Sequence, residues 1–174
     1  MSANTNIDSG KLEFKILETS DDLSSFDCSK DDTMGLNEFI HEEALQYQKE
    51  KLGITYLFFH ENNVVGFVTL AMSQIEVKET PPRLPFPVTI KYYPALKIGR
   101  LAVDNKYREK NVGTNICLWS LYFAEDLSKG IGCRFVVVLT QGKTINFYEK
   151  CDFEIVPKYK NKPKVFLFLK IPQS

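Results

Sequence analysis

A strand-like run, Ile98-Gly99-Arg100-Leu101-Ala102-Val103-Asp104, passes within a few residues into an apolar helix-like run from Val112 to Leu127. The join, Arg108-Glu109-Lys110-Asn111-Val112-Gly113-Thr114, is short and basic. A strand feeding a long helix through so short a connection commits the chain to packed α/β layers. It also makes a place to hold phosphates. A helix N-terminus presents unpaired backbone N–H groups and about half a positive charge, and a glycine lets a ligand approach that backbone closely. The run G-x-x-x-x-G-K-S/T of a P-loop is absent, as is the G-x-G-x-x-G of dinucleotide folds. A different ligand carrying a pyrophosphate is implied.

The rest of the chain supplies layers to either side of this unit. Leu12-Glu13-Phe14-Lys15-Ile16-Leu17 alternates apolar and polar residues and predicts a first strand. Asp31-Asp32-Thr33 offers an N-cap to a helix carrying Leu36, Phe39, Ile40, Ala44 and Tyr47, ending by Gly53. Ile54 to Phe59 and Val64 to Ala71 are rich in β-branched and aromatic residues and predict a hairpin closed by His60-Glu61-Asn62-Asn63. Glu79 to Pro87 holds four prolines and reads as a loop. The helix from Val112 carries Ile116, Trp119, Phe123 and Leu127 on one face, widened by Leu118, Leu121 and Tyr122, so a deeply packed helix is expected, ended by Gly130 and Gly132. Phe135 to Leu139 reads as a buried strand, Thr144 to Lys150 as a short helix and Val165 to Leu169 as a last strand. With 174 residues and no linker or repeat, a single domain spanning 1–174 is expected, since cores of about 100–200 residues are usual.

Two blocks carry a family resemblance. Arg108 and Gly113 match the ends of Q/R-x-x-G-x-G/A, with Asn111 at the middle glycine, and Phe147-Tyr148-Glu149-Lys150-Cys151-Asp152-Phe153 matches F-Y-x-x-x-G-F, with Asp152 at the glycine. In this order and spacing they resemble the GNAT superfamily of acetyl-CoA-dependent N-acetyltransferases. Asn tolerates the left-handed backbone better than most residues, so the loop turn survives the first departure.

The resemblance implies a mixed central sheet splayed between its fourth and fifth strands, with helices on both faces and acetyl-CoA in the wedge. Leu101, Ala102 and Val103 would then face the pantetheine and thioester, while Arg108, Glu109, Lys110, Asn111, Val112, Gly113 and Thr114 would hold the pyrophosphate. Asn146 would join the cofactor site. A backbone N–H near Val103 would stabilise the oxyanion during direct attack by an amine. Tyr148 would protonate the departing thiolate; a thiol pKa of about 8.5 against about 10 for a phenol makes that transfer nearly balanced. No metal is needed.

The acceptor is constrained by what is missing. A lysine amine is neutral in about one molecule in 2,500 at pH 7, a handicap of roughly 4.6 kcal/mol, whereas an α-amine loses closer to 1 kcal/mol. Family members often carry a Glu base on the fourth strand, but this chain has Arg100 near there; Glu76, after the third strand, is one candidate base. The absent carboxylate favours an α-amine or another amine of low pKa. The family's toxin branch, which acetylates the α-amine of aminoacyl-tRNA, is similar over nearly the full length: Phe26-Asp27-Cys28, Leu36-Asn37-Glu38-Phe39-Ile40, Gly66-Phe67-Val68-Thr69-Leu70, and Gly99 to Asp104 after the Pro-rich insert. A small metabolite, a peptide and aminoacyl-tRNA all stay open as acceptors, as does a non-catalytic acyl-CoA sensor or scaffold. A homodimer or an antitoxin partner is equally left open.

Charge bears on this choice. The net charge is zero, yet residues 1–50 hold 4 Lys/Arg against 12 Asp/Glu and residues 129–174 hold 9 against 3. Lys158, Lys160, Lys162 and Lys164 lie in one stretch, which permits nucleic-acid contact; the plainer reading is a solvated edge kept from aggregating by lysine. Cys28, Cys117, Cys133 and Cys151 form no C-x-x-C pair, so neither zinc nor a disulfide framework is expected. No apolar run reaches the roughly 18 residues of a membrane span, and Met1-Ser2-Ala3-Asn4-Thr5 has no signal-peptide pattern, so a cytoplasmic protein without a membrane partner is expected.

Overall fold

A computed structural model describes residues 6–79 and 89–172. Its strands are β1 (Glu13–Ile16), β2 (Ile54–His60), β3 (Asn63–Glu76), β4 (Tyr92–Val103), β5 (Phe135–Gln141), β6 (Glu154–Ile155) and β7 (Lys164–Lys170). They form a mixed sheet in the order β1-β2-β3-β4-β5-β7-β6. The helices are α1 (Leu36–Glu38), α2 (Ala44–Lys49), α3 (Val112–Ser128) and α4 (Thr144–Lys150). The predicted Pro-rich loop falls almost wholly on residues outside those described. The chain groups into two compact units, Met1–Ala71 with Gly99–Cys117, and Met72–Ile98 with Leu118–Ser174.

In the first unit, β2 and β3 pair antiparallel through a two-residue turn, with His60 opposite Asn63 and both Glu61 and Asn62 left-handed at φ 48° and 64°. This is the twist-matched hairpin turn that Asn favours, tighter than the four-residue connection expected. The register slips between Phe58 and Phe59, so Val65 is an extra residue, and its carbonyl accepts the Asp104 N–H at 2.9 Å. The bulge thereby fixes where β4 ends. Gly66, beside it, has no room for a side chain: a Cβ there would lie 2.7 Å from Ile116 Cδ1 and 2.9 Å from the Ala102 carbonyl. The first turns of α3 rest directly on the strand at that point.

The predicted first helix is interrupted. Phe39–Glu43 forms a π turn between α1 and α2 and places Phe39 and Ile40 in the core with Leu17, Phe26, Leu57 and Phe67. The N-cap residue of α1 is Gly35, left-handed at φ 70° and without a side-chain cap bond, rather than one of Asp31, Asp32 and Thr33; Asp32 still steadies the entry, its Oδ2 accepting the Asn37 N–H at 2.9 Å and its Oδ1 the Met34 N–H at 3.0 Å. Strand β1 is an edge strand with every residue exposed, Phe14 at 52% and Ile16 at 46%, so its alternation marks no buried face.

In the second unit, β5 pairs parallel with β4 and antiparallel with β7 around Ile75, Tyr93, Ala95, Phe135, Val137, Val156 and Phe168. The two-residue strand β6, unforeseen, pairs with Phe168 and Leu167. Helix α4 matches its predicted bounds. Helix α3 differs from expectation in its buried face, which runs through Val112, Ile116, Cys117, Ser120 and Ala124. Trp119, Phe123 and Leu127 are half-buried, and Leu118 and Tyr122 are exposed. The small residues Ser120 and Ala124 let this face lie close, which hydrophobicity alone does not reveal.

Candidate active site

The β4–β5 register runs from Ala95↔Phe135 to Ile98↔Val138, while β4 continues to Val103. Along that extension Leu101 and Val103 are half-buried on one side and Ala102 is buried on the other. Asp104 closes the strand. Its carboxylate is 2% exposed and accepts the N–H groups of Asp27 at 2.9 Å and Lys106 at 2.8 Å, while Asn105 N–H donates to the Asp27 carbonyl at 2.7 Å. The Phe26–Cys28 segment is thus knitted to the start of the loop.

Arg108 through Thr114 then enter α3. Glu109 and Asn111 are left-handed at φ 62° and 64°. Asn111 occupies the glycine position of the motif in the conformation that glycine serves, as its side-chain type permits. The Asn115 N–H donates to the Asn111 carbonyl at 2.9 Å, so the N–H groups of Asn111, Val112, Gly113 and Thr114 have no intrahelical acceptor. Arg108 does not aim at this cradle; its guanidinium donates to the Lys30 carbonyl and lies 3.7 Å from Asp31. Lys110 Nζ lies 5.2 Å from the Tyr107 ring centroid.

Arg100 stacks its guanidinium 4.6 Å from the Phe39 centroid and 5.8 Å from that of Tyr47, with Nη1 donating to the Gly99 carbonyl at 3.2 Å. The π turn that positions Phe39 therefore also seats Arg100. Burial pushes the Cys28 thiol up to about 12, leaving no thiolate there at neutral pH.

In the second unit, Tyr148 is 5% exposed and lies between Phe147 and Phe153, with ring centroids at 5.0 and 5.4 Å. Helix α4 ends in a Schellman motif: Phe153 N–H donates to the Tyr148 carbonyl at 3.1 Å and Asp152 N–H to that of Glu149 at 3.0 Å. Asp152, the second departure from glycine, is left-handed at φ 64°. Asn146 is exposed on the same helix. Glu76 pairs with Lys78 at 2.9 Å, and that hydrogen bond, aided by the fields of Lys158 and Lys91, holds its carboxyl below the usual range. Lys158, Lys160, Lys162 and Lys164 are exposed, and the ammonium groups of Lys158 and Lys162 lie 5.1 and 5.0 Å from the Tyr159 ring centroid.

The Acetyltransferase (GNAT) domain family matches residues 51–155, which span β2 through β6 and both motif blocks. The chain belongs to the GNAT acetyltransferase family. It is an N-acetyltransferase, and both of its non-glycine motif positions, Asn111 and Asp152, are left-handed. A relative from Mycobacterium tuberculosis, the tRNA-acetylating toxin, is 25% identical over 146 residues, 81% of this chain and 83% of the relative. Among solved structures, AtaT complexed with acetyl-methionyl-tRNAfMet superposes with a TM-score of 0.76 at 21% identity, covering 91% of this chain and 94% of that one. AtaTR bound with acetyl-CoA superposes at 0.75 with 22% identity, covering 93% and 95%. These likenesses show the fold. Among the described residues, no helix is long and apolar enough to cross a membrane and no group of three His, Cys, Asp or Glu is placed to hold a metal ion.

Four residues organise this region in roles that the sequence did not show: Gly66, Asp104, Asn115, whose Nδ2 donates to the Ile7 carbonyl, and Ile7, whose N–H donates to the Lys110 carbonyl. Asp104 could have been suspected from an Asp directly after a strand, a common turn-forming position. For the others the contacts are distant in sequence and no local pattern announces them.

Proposed function

We propose that residues 1–174 form one cytoplasmic domain that transfers the acetyl group of acetyl-CoA to the α-amine of an aminoacyl-tRNA. The N–H groups of Asn111 to Thr114 take the pyrophosphate, with Arg108, Glu109 and Lys110 shaping the turn. Leu101, Ala102 and Val103 take the pantetheine along the part of β4 beyond the parallel register, and Asn146 contacts the cofactor. The amine attacks the thioester carbon directly, the oxyanion is met by a β4 backbone N–H, and Tyr148 gives its proton to the leaving CoA thiolate. An antitoxin partner of the kind that AtaT has, and a homodimer, belong to the same reading.

One observation carries the choice of acceptor. Near the place on the fourth strand where family members often carry a carboxylate base this chain has Arg100, held by Phe39 and Tyr47. Glu76 offers no substitute, because a carboxyl held low by Lys78 is a poor proton acceptor. An enzyme without a strong base suits an amine that is already neutral in a large fraction of molecules, as an α-amine is. The tRNA-acetylating relative supports the same reading. The basic stretch of Lys158, Lys160, Lys162 and Lys164 would meet the tRNA backbone.

The test is transfer of labelled acetyl groups to a panel of aminoacyl-tRNA, uncharged tRNA, free amino acids, polyamines and lysine peptides. Transfer to aminoacyl-tRNA is expected to dominate and to weaken with added salt. Replacing Lys158, Lys160 and Lys162 by Ala should raise KM for the tRNA without changing KM for acetyl-CoA. Efficient acetylation of a small amine, with aminoacyl-tRNA left unmodified, would sink the tRNA reading.

A further inference from the structure

The loop at Arg108 to Asn111 has a shape that it cannot hold alone. Glu109 and Asn111 are both left-handed, and a residue with a side chain loses about 1 kcal/mol in that region, somewhat less for Asn. Neighbouring structure must supply the difference, and the N-terminal segment does. The Ile7 N–H donates to the Lys110 carbonyl at 2.9 Å, and the Ile7 carbonyl accepts from Asn115 Nδ2 at 2.9 Å. Both polar groups of one peptide-chain residue are thus spent on the loop and on the first turn of α3. Ile7 is itself anchored: its side chain is 7% exposed, and Asp8 turns the chain after it by accepting the Gly10 N–H at 2.8 Å.

The geometry of a trans peptide gives this strap a directional effect. Its C=O and N–H point opposite ways, so holding the Lys110 carbonyl against Ile7 fixes the Asn111 N–H on the far side. That N–H is the first of the four donors at the head of α3. Without the strap, the Lys110–Asn111 peptide is free to rotate, and a left-handed Asn111 is the residue whose relaxation would turn it.

We infer that Ile7 and Asn115 are positioning residues for the acyl-CoA pyrophosphate: together they clamp the Lys110–Asn111 peptide with its N–H turned toward the ligand. The inference rests on the reading of Arg108 to Thr114 as the pyrophosphate site. It predicts a defect specific to substrates that carry the pyrophosphate. A merely structural role would predict no such specificity.

The experiment compares acetyl-CoA with acetylpantetheine, the same thioester without the nucleotide and its pyrophosphate, as donors to one acceptor. Asn115→Leu keeps the volume and removes the donor; Ile7→Pro removes the N–H that holds Lys110. Each should lower kcat/KM for acetyl-CoA about tenfold through KM, the loss of one hydrogen bond to a charged group, while kcat/KM for acetylpantetheine stays at the wild-type value. Asn115→Gln, which restores an amide donor, should recover part of the loss. If the wild type prefers acetyl-CoA and both variants keep that preference undiminished, the clamp is overturned. Equal loss with both thioesters would also overturn it, by showing general disorder. A wild type indifferent to the missing nucleotide would overturn the loop reading and the clamp with it.

Discussion

At the two motif positions where the family signature has glycine the chain carries a left-handed residue with a side chain, and it supports them in opposite ways. Asn111, at the head of α3, depends on partners far away in the sequence, through Ile7 and through the Arg108 tie to Lys30 and Asp31. Asp152, at the end of α4, depends on its own neighbours: the Schellman bonds to Tyr148 and Glu149, and the Phe153 ring folded back onto Tyr148. Remote support makes the loop's shape depend on a few ties, each of which can be removed alone. Local support makes a rigid mount, which is what a proton donor needs, since misplacement by an ångström can lose a hundredfold in rate. The difference in construction matches the difference in proposed role, binding for one region and chemistry for the other.

Removing the Tyr148 hydroxyl should separate those roles most sharply. Tyr148→Phe is expected to lower kcat by roughly 100-fold while the calorimetric Kd for acetyl-CoA stays within a factor of two, because its hydroxyl acts on the leaving group and the aromatic packing is preserved. An unchanged kcat would assign the proton to another donor. The next effect is smaller and splits by position. A β-branched residue in the left-handed region loses about 1–2 kcal/mol relative to one that tolerates it. Asn111→Val should show that loss mainly as weaker acetyl-CoA binding, and Asp152→Val mainly as a lower Tm with affinity unchanged. Matching phenotypes in the two variants would erase the distinction drawn here.

The smallest effect concerns the outer anchor of the loop. Burial raises the Asp32 pKa, but hydrogen bonds from the N–H groups of Asn37, Leu36, Met34 and Gly35 outweigh it and hold the carboxyl below its usual value. A folded-state pKa below the unfolded one contributes stability that is present above an unfolded value of about 3.9 and is lost as pH falls through the folded value. Asp32→Ala should therefore be less stable than wild type at pH 7, by less than the roughly 1 kcal/mol of a buried helix cap because the carboxylate is largely screened by water. The gap should close in denaturation experiments run at progressively more acid pH below 4. Because Asp32 adjoins the Asp31 that Arg108 meets, the same acid range should loosen the loop while leaving the α4 end intact.

Much of this arrangement was legible because it is local. The β4-loop-α3 unit carries long apolar runs ended by glycine, and the two motif blocks stand at fixed spacing. The π turn at Phe39–Glu43 was hidden because it answers to the packing of Phe39 against Phe67, which no periodicity encodes. The buried face of α3 was misread for a related reason: Gly66 admits Val112 and Ile116 to the sheet, and the face continues through Ser120 and Ala124, so small residues outrank Trp119 and Phe123. Alternation in β1 promised a buried side that an edge strand does not have. At the candidate site, the positions of Arg108 to Thr114 were readable, but the anchoring of Arg108 to Lys30 and of Lys110 to Ile7 was not. Main-chain contacts between distant segments leave no signature in side-chain order.

The unequal burial of the four thiols has a practical consequence. Cys28, Cys117 and Cys133 are buried, and burial raises the pKa of both Cys28 and Cys133, so a maleimide dye at neutral pH would discriminate against them. Cys151 is half-exposed at the α4 terminus, three residues beyond Tyr148. The native chain thus offers a nearly single-site fluorescent reporter beside the proposed proton donor, with no cysteine to engineer away, and ligand titrations could be followed there by emission alone.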